Sequence, residues 1–175
     1  MLGKCVLIGN PCSGKTSIFR RFSMAEPPNG YIPSPEPEEQ KVAREMGPIH
    51  IETTVFDIPG AHDGQNLLAD IDVAIIPYDI TSKSSYRAID GCVKRIREFS
   101  PEAQVIVTAN KIDQKANRVT KRIDGINKAK QFKGEYIEVS ASTGEGIEDL
   151  ITMMTGMIFT RKFAKEHNLH EDLSR

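Results

Sequence analysis

The sequence contains no tryptophan and only three cysteines in 175 residues. Cys5, Cys12 and Cys92 are scattered and odd in number. They lack the paired C-x-x-C spacing of tetrahedral metal sites and dithiol redox centres, so all three are expected to be free thiols. An excess of one charge is missing too: 23 Lys and Arg face 24 Asp and Glu, a formal charge of −1. That balance removes the electrostatic footprint of a nucleic-acid binder, and no block of like charges suggests a solvating tail or a lipid-surface arm. No apolar run approaches the roughly 20 residues that span a bilayer. The opening MLGKCVLIG has no charged leader before its short apolar run, Gly3 is not directly after Met1 as myristoylation requires, and the closing EDLSR has no cysteine to prenylate. The expectation is a cytoplasmic protein with no direct lipid anchor visible.

What is present is ordinary globular composition, 39% hydrophobic and 27% charged, at the length of one domain. Residues 1–175 are expected to form a single domain, with 160–175 a helix end or tail. Apolar runs at Cys5–Ile8, Asp72–Ile76, Val105–Val107 and Tyr136–Val139, with an alternating segment at Ile49–Phe56, are separated by helical stretches. This is the pattern of strands and crossover helices around a parallel sheet. Tyr86, Ile89, Val93 and Ile96 follow a Thr81/Ser82 start signal at helical spacing; Ile123, Ile126 and Phe132 follow Thr120; Ile147, Leu150, Ile151, Met154 and Ile158 share one face of a last helix. Five prolines make Glu26–Glu39 a loop, and Pro77 predicts that the central strand ends or bulges there.

Four short motifs sit at strand ends. Gly9-Asn10-Pro11-Cys12-Ser13-Gly14-Lys15-Thr16 matches G-x-x-x-x-G-K-[ST] between a strand and a helix opening at Ser17. Glycines there let successive N–H groups turn inward onto phosphate oxygens, and the helix adds its positive end. Lys15 is placed for the terminal phosphates and the Thr16 hydroxyl for Mg²⁺. The plain alternative is a Gly-rich strand-to-helix turn. Asp57-Ile58-Pro59-Gly60 closes another strand: Asp57 could hold the metal through water and the Gly60 N–H could sense the last phosphate, though alone D-x-x-G reads first as a turn. In Asn110-Lys111-Ile112-Asp113, the carboxylate can accept both the ring N–H and the exocyclic amine of guanine, which adenine does not offer together. Lys111 could lay its stem along the ring and Asn110 brace the phosphate loop. Ser140-Ala141-Ser142 offers an Ala141 N–H to the guanine oxygen, a pattern with little weight of its own.

GNPCSGKT, DIPG, NKID and SAS, in this order, together resemble the small GTPases of the Ras superfamily. The stretches DVAIIPYDITSKSSYRAI, FSPEAQVIVTANKID and EYIEVSASTGEGIEDL are most similar to the Rab branch, and the resemblance covers roughly residues 3 to 159. It implies a three-layer α/β P-loop G domain, a six-stranded, mostly parallel sheet with helices on both faces. It also implies a GTP/GDP switch with Mg²⁺, protein effectors and possible exchange or activating factors. By family spacing, Ser34 of Tyr31-Ile32-Pro33-Ser34 lies 18 residues beyond Thr16 and stands where the family has its first-switch Thr, a metal ligand. The departures bear on turnover. Ala61 replaces the family's water-orienting glutamine, Pro11 and Cys12 crowd the approach of an activating arginine, and the segment from Asp57 to Asp79 is about four residues short of the Rab pattern. Slow hydrolysis, catalysed by Lys15, Ser34, Gly60 and, in place of the glutamine, His62, is the expectation; Gln65 is a weaker stand-in. Pro27 replaces a common aromatic that stacks on the base. A GTP-bound scaffold subunit with little turnover stays open as the alternative. A phosphotransferase would need an acceptor insert and an arginine lid for which there is no room.

Overall fold

A computed structural model describes residues 1–23, 36–59 and 65–173 of the chain. The elements follow as β1 (Leu2–Leu7), α1 (Lys15–Phe22), β2 (Glu38–Met46), β3 (Ile49–Asp57), β4 (Val73–Asp79), α2 (Lys83–Arg87), α3 (Ile89–Phe99), β5 (Gln104–Asn110), α4 (Arg122–Gln131), β6 (Glu135–Glu138) and α5 (Ile147–Leu173). Two short 3₁₀ turns, Gln65–Leu67 and Ile112–Asn117, precede β4 and follow β5. The strands form one sheet in the order β2-β3-β1-β4-β5-β6, parallel throughout except for the β2–β3 hairpin. The expected six-stranded, three-layer α/β architecture is what the chain adopts.

Both faces of the sheet are buried, which is why its inner strands read as continuous apolar runs. Cys5 and Leu7 of β1 and Val73 and Ile75 of β4 join Ile18, Phe19, Leu150, Ile151 and Met154 of α1 and α5. Their neighbours Val6, Ala74 and Ile76 join Ile89, Val93 and Ile96 of α3 on the opposite face. Ser82 caps α2 by accepting from the Ser85 N–H, as the start signal predicts. At the rim remote from the strand C-termini, the buried Asp72 accepts the Lys4 N–H at 3.0 Å on Oδ2. Its carboxylate also pairs with Lys162 Nζ at 3.0 Å and Arg161 Nε at 3.4 Å, fastening α5 to β4. Among the described residues, no helix is long and apolar enough to cross a membrane.

Three expectations are corrected. Pro77 neither ends nor bulges β4: it stays in register opposite Thr108 of β5, and the strand runs on to Asp79. Alternation explains this. The Ile75 carbonyl accepts the Ile8 N–H on the β1 side, so Pro77, two residues on, turns its donor-less nitrogen to the same side, where β1 has already given way to the loop at Gly9. The Pro77 carbonyl and ring lie against Gly9, so no ladder bond is lost. Glu38 and Glu39 are not loop: β2 starts at Glu38 and pairs residue for residue with β3 from Glu38↔Asp57 to Met46↔Ile49. Ile123 is 53% exposed and does not cover the sheet; α4 presses Gly125 and Ala129 inward instead, because the Tyr78 and Tyr136 rings fill the space where any side chain on residue 125 would go. Between β3 and β4 the only helix among the described residues is Gln65–Leu67, in keeping with the short second switch.

Candidate functional site

The chain leaves β1 toward β3 on one side and reaches β4 on the other, so the strand order switches at β1/β4, where open α/β sheets form a crevice beyond the strand C-termini. The loop Gly9–Gly14 occupies that point. It tightens with a bond from the Ser13 N–H to the Asn10 carbonyl at 3.3 Å, and α1 begins at Lys15. Cys12 takes φ 63° and Gly14 φ 90°, both left-handed. For Gly14 this is also a matter of space, since a Cβ there would run into the Asn110 amide. For Cys12 it is strain of about 1–2 kcal/mol, carried by an exposed thiol beside exposed Pro11. Ser13 is buried and its Oγ has no hydrogen-bond partner among the described residues, while Ser17 is half-buried in the first turn of α1.

The charged groups at this end are organised around one another. Lys15 is buried and its Nζ donates to the Gly9 and Asn10 carbonyls at 3.1 and 3.2 Å. Burial lowers its pKa, and the charge of Asp57 opposes that shift. The Thr16 hydroxyl donates to Asp57 Oδ2 at 2.5 Å, whereas the buried Oδ1 has no hydrogen-bond partner among the described residues. Burial pushes the Asp57 carboxyl above its usual range against the pull of the Thr16 bond and the Lys15 charge. A hydroxyl and a carboxylate with one orphaned oxygen, beside a phosphate-type loop, are the hard-oxygen donors that Mg²⁺ takes when waters and phosphates complete its shell. The residues therefore fit that ion.

At the other end, Asn110 joins three loops. Its Nδ2 donates to the Ser13 carbonyl at 3.0 Å and its Oδ1 accepts the Ala141 N–H at 3.1 Å. The Ala141 N–H that sequence offers to a base is thus engaged within the protein here. Arg21 on α1 secures the same loop from behind, through Nε to the Ala141 carbonyl at 2.8 Å and Nη2 to the Ser142 carbonyl at 2.6 Å. The Ser140 hydroxyl donates to Asp113 Oδ1 at 2.6 Å and accepts the Thr143 N–H at 3.1 Å. Asp113 is exposed at the crevice. Lys111, at φ 68°, directs its ammonium to Asp79 Oδ2 at 2.7 Å.

All the described motif residues thus converge on one rim. Ser34, Gly60, Ala61 and His62 lie outside the described residues, as do the side chain of Gln65 and most of the proline-rich loop. Two contributors escaped sequence reasoning. Arg21 passes for an ordinary basic residue in a last helical turn. Asp79 has a signal, an acid at the C-terminal end of a parallel strand on the same rim.

Comparison with known proteins fits this geometry. The family model described as "Ras family" matches residues 4–160. This chain belongs to the Ras family. Among its relatives in that superfamily, human Ras-related protein Rab-15 is 27% identical over 163 residues, covering 90% of this chain and 77% of the relative. The Rho-related protein racE of Dictyostelium discoideum is 26% identical over 166 residues, covering 85% and 74%. Human Rho-related GTP-binding protein RhoB is 24% identical over 182 residues, covering 94% and 92%. The chain is a Ras-superfamily small GTPase of the Rab-like branch, and Ras-family proteins in general bind guanine nucleotide and hydrolyse GTP.

Proposed function

We propose that this protein is a guanine-nucleotide switch that binds GTP and GDP with Mg²⁺, hydrolyses GTP slowly, and recruits protein effectors in its GTP state. One observation carries the reading: the Asn110 side chain bridges the phosphate loop and the Ser140–Ser142 loop, so the groups suited to a triphosphate and those suited to guanine belong to one crevice. Lys15 and the backbone N–H groups between Asn10 and Ser17, other than Pro11 which has none, hold phosphate oxygens. Asp113 accepts from the guanine edge, and Lys111 lies along the ring. Ser140 and Ser142 shape the loop around Ala141, whose N–H has to leave Asn110 to reach the base oxygen. Thr16, Asp57 and Ser34 would hold Mg²⁺, which when bound neutralises charge on the β- and γ-phosphates. Ser34 and the Gly60 N–H are assigned to the last phosphate. With Ala61 in place of glutamine, water is oriented poorly, and His62 is the nearest substitute. Turnover is accordingly slow, and exchange and activating proteins set the cycle.

The test is single-turnover hydrolysis of bound GTP with Mg²⁺, together with identification of the nucleotide that co-purifies. A slow but complete decay to GDP is expected, about 10-fold slower again in His62→Ala if that residue positions water. GTP carried intact through purification and indefinitely retained selects the scaffold alternative. Asp113→Asn should lose GDP affinity by about 100-fold and gain xanthosine diphosphate, whose C2 oxygen accepts where guanine donates. Unchanged GDP affinity in Asp113→Asn, or equal binding of ATP, overturns the guanine reading.

A further inference from the structure

Resting on that guanine-nucleotide reading, we propose that Asp79 is a positioning residue for base recognition: it anchors the Lys111 ammonium so that the lysine stem is held as a wall of the base pocket before nucleotide arrives.

The placement begins with the sheet. Asp79 is the last residue of β4 and lies in register with Asn110, the last residue of β5. The next residue of the β5 chain is Lys111. Its left-handed backbone, φ 68° and ψ 36°, turns the chain sharply into the Ile112–Asn117 turn and brings the side chain back over the strand ends. Its Nζ meets Asp79 Oδ2 at 2.7 Å. A lysine side chain has four rotatable bonds and keeps no fixed course unless its tip is held. Here the tip is held.

The anchor is itself immobilised. Asp79 Oδ1 accepts the Thr81 N–H at 2.8 Å and the Thr81 hydroxyl at 2.7 Å. The buried Ser85 hydroxyl takes the Asp79 N–H at 3.0 Å and donates to the Asp79 carbonyl at 3.2 Å and to the Ser82 carbonyl at 2.9 Å. The Ser82 N–H also reaches the Asp79 carbonyl at 3.0 Å. Both carboxylate oxygens and both backbone groups of Asp79 are therefore committed, and the side chain is 11% exposed. Burial raises a carboxyl's pKa, but the bonds from Lys111 and Thr81 outweigh it and hold Asp79 below its usual range, which favours the charged form that the lysine needs as its partner. A surface ion pair with two mobile partners contributes little. This pair differs because one partner is rigid in advance, so the ordering cost of the lysine is met in the free protein rather than on binding.

Asp79 touches no nucleotide in this scheme and acts through Lys111, which makes a double-mutant cycle the decisive test. Release of fluorescently labelled GDP is measured for the native chain, Asp79→Asn, Lys111→Ala and the double variant. Asp79→Asn should release GDP about 10-fold faster, in line with loss of a charge-assisted hydrogen bond, and should add less than about 2-fold once Lys111 is alanine. Thr81→Val, which loosens the anchor without touching Lys111, should accelerate release by about 2- to 3-fold, and it decides the matter if Asp79→Asn does not fold. Inosine diphosphate, which lacks the exocyclic amine, supplies the readout that a merely structural role would disturb. Its release relative to GDP should keep the native ratio in Asp79→Asn, since the lysine stem does not read the amine and Asp113 does. The proposal is overturned if Asp79→Asn releases GDP at the native rate, if it has the same effect with and without Lys111, or if the GDP-to-IDP ratio collapses. Failure of the native chain to bind GDP at all overturns the guanine-nucleotide reading as well, so the two failures are told apart by the wild-type arm.

Discussion

At the base end of the crevice, Asn110, Asp113, Lys111 and the Ser140–Ser142 loop each have a protein partner: Ser13, Ser140, Asp79 and Arg21. At the phosphate end, among the described residues, Lys15 donates to carbonyls of its own loop alone, and Ser13 Oγ and Asp57 Oδ1 are buried without hydrogen-bond partners. The base end is thus preorganised by side chains on β4, β5, α1 and the loop that follows β6. The phosphate end offers buried polar atoms, Ser13 Oγ and Asp57 Oδ1, that a bound ligand can satisfy. On the proposed reading, binding energy at the base end goes into discrimination, and at the phosphate end into satisfying those atoms. That division suits a site in which the base remains while the last phosphate comes and goes.

Substitutions that remove one end and spare the other sharpen this contrast. The largest effect is expected for Lys15→Ala: nucleotide affinity falls by about 100- to 1000-fold, as befits loss of a buried charge from a polyphosphate, while nucleotide-free stability changes by less than about 1 kcal/mol. A large loss of apo stability would mean that the lysine is a structural strut and the phosphate end is as preorganised as the other. Next comes Asn110→Ala, which strands the Ala141 N–H and the Ser13 carbonyl and disconnects the ends. It should accelerate nucleotide release by about 10- to 100-fold and lower apo stability by about 1–3 kcal/mol in chemical denaturation. The smallest effect has the opposite sign. Folding raises the Asp57 pKa, so its ionised form is disfavoured, and the cost grows as pH rises through the folded value. Asp57→Asn should therefore raise the apo Tm at neutral pH by about 2–4 °C, an advantage that fades toward pH 4, while Mg²⁺ no longer slows nucleotide release. An Asp57→Asn protein less stable than wild type would place Asp57 among the satisfied groups and erase the difference between the ends.

The sheet was legible where its strands are buried on both faces, because CVLI, DVAII and VIV need no context to read as inner strands. β2 was not. EEQKVAREM has one fully buried apolar residue, Val42, and its strand character comes from the ladder to β3 across the tight turn at Gly47, an edge interaction without a hydrophobic run. Pro77 misled for a related reason: a proline's cost depends on which side its nitrogen faces, which only the neighbouring strand decides. The site was legible as four motifs because their spacing follows the strand ends. Arg21 was hidden because it acts on main-chain carbonyls, which leaves no pattern along the chain; Asp79 and Thr81 stand at readable positions, a strand end and a helix start, but their roles act through another side chain and so carry no motif.

The carboxylate of Asp72 ends up gripping both extremities of the sequence, through the Lys4 amide and the Arg161 and Lys162 side chains. The same helix, α5, packs Leu150, Ile151, Met154 and Ile158 against the sheet and pairs Glu148 with Arg44 of the edge strand β2, so it ties the central strands to the margin. The helix is a brace laid across several strands, clasped by Asp72 at the rim opposite the crevice.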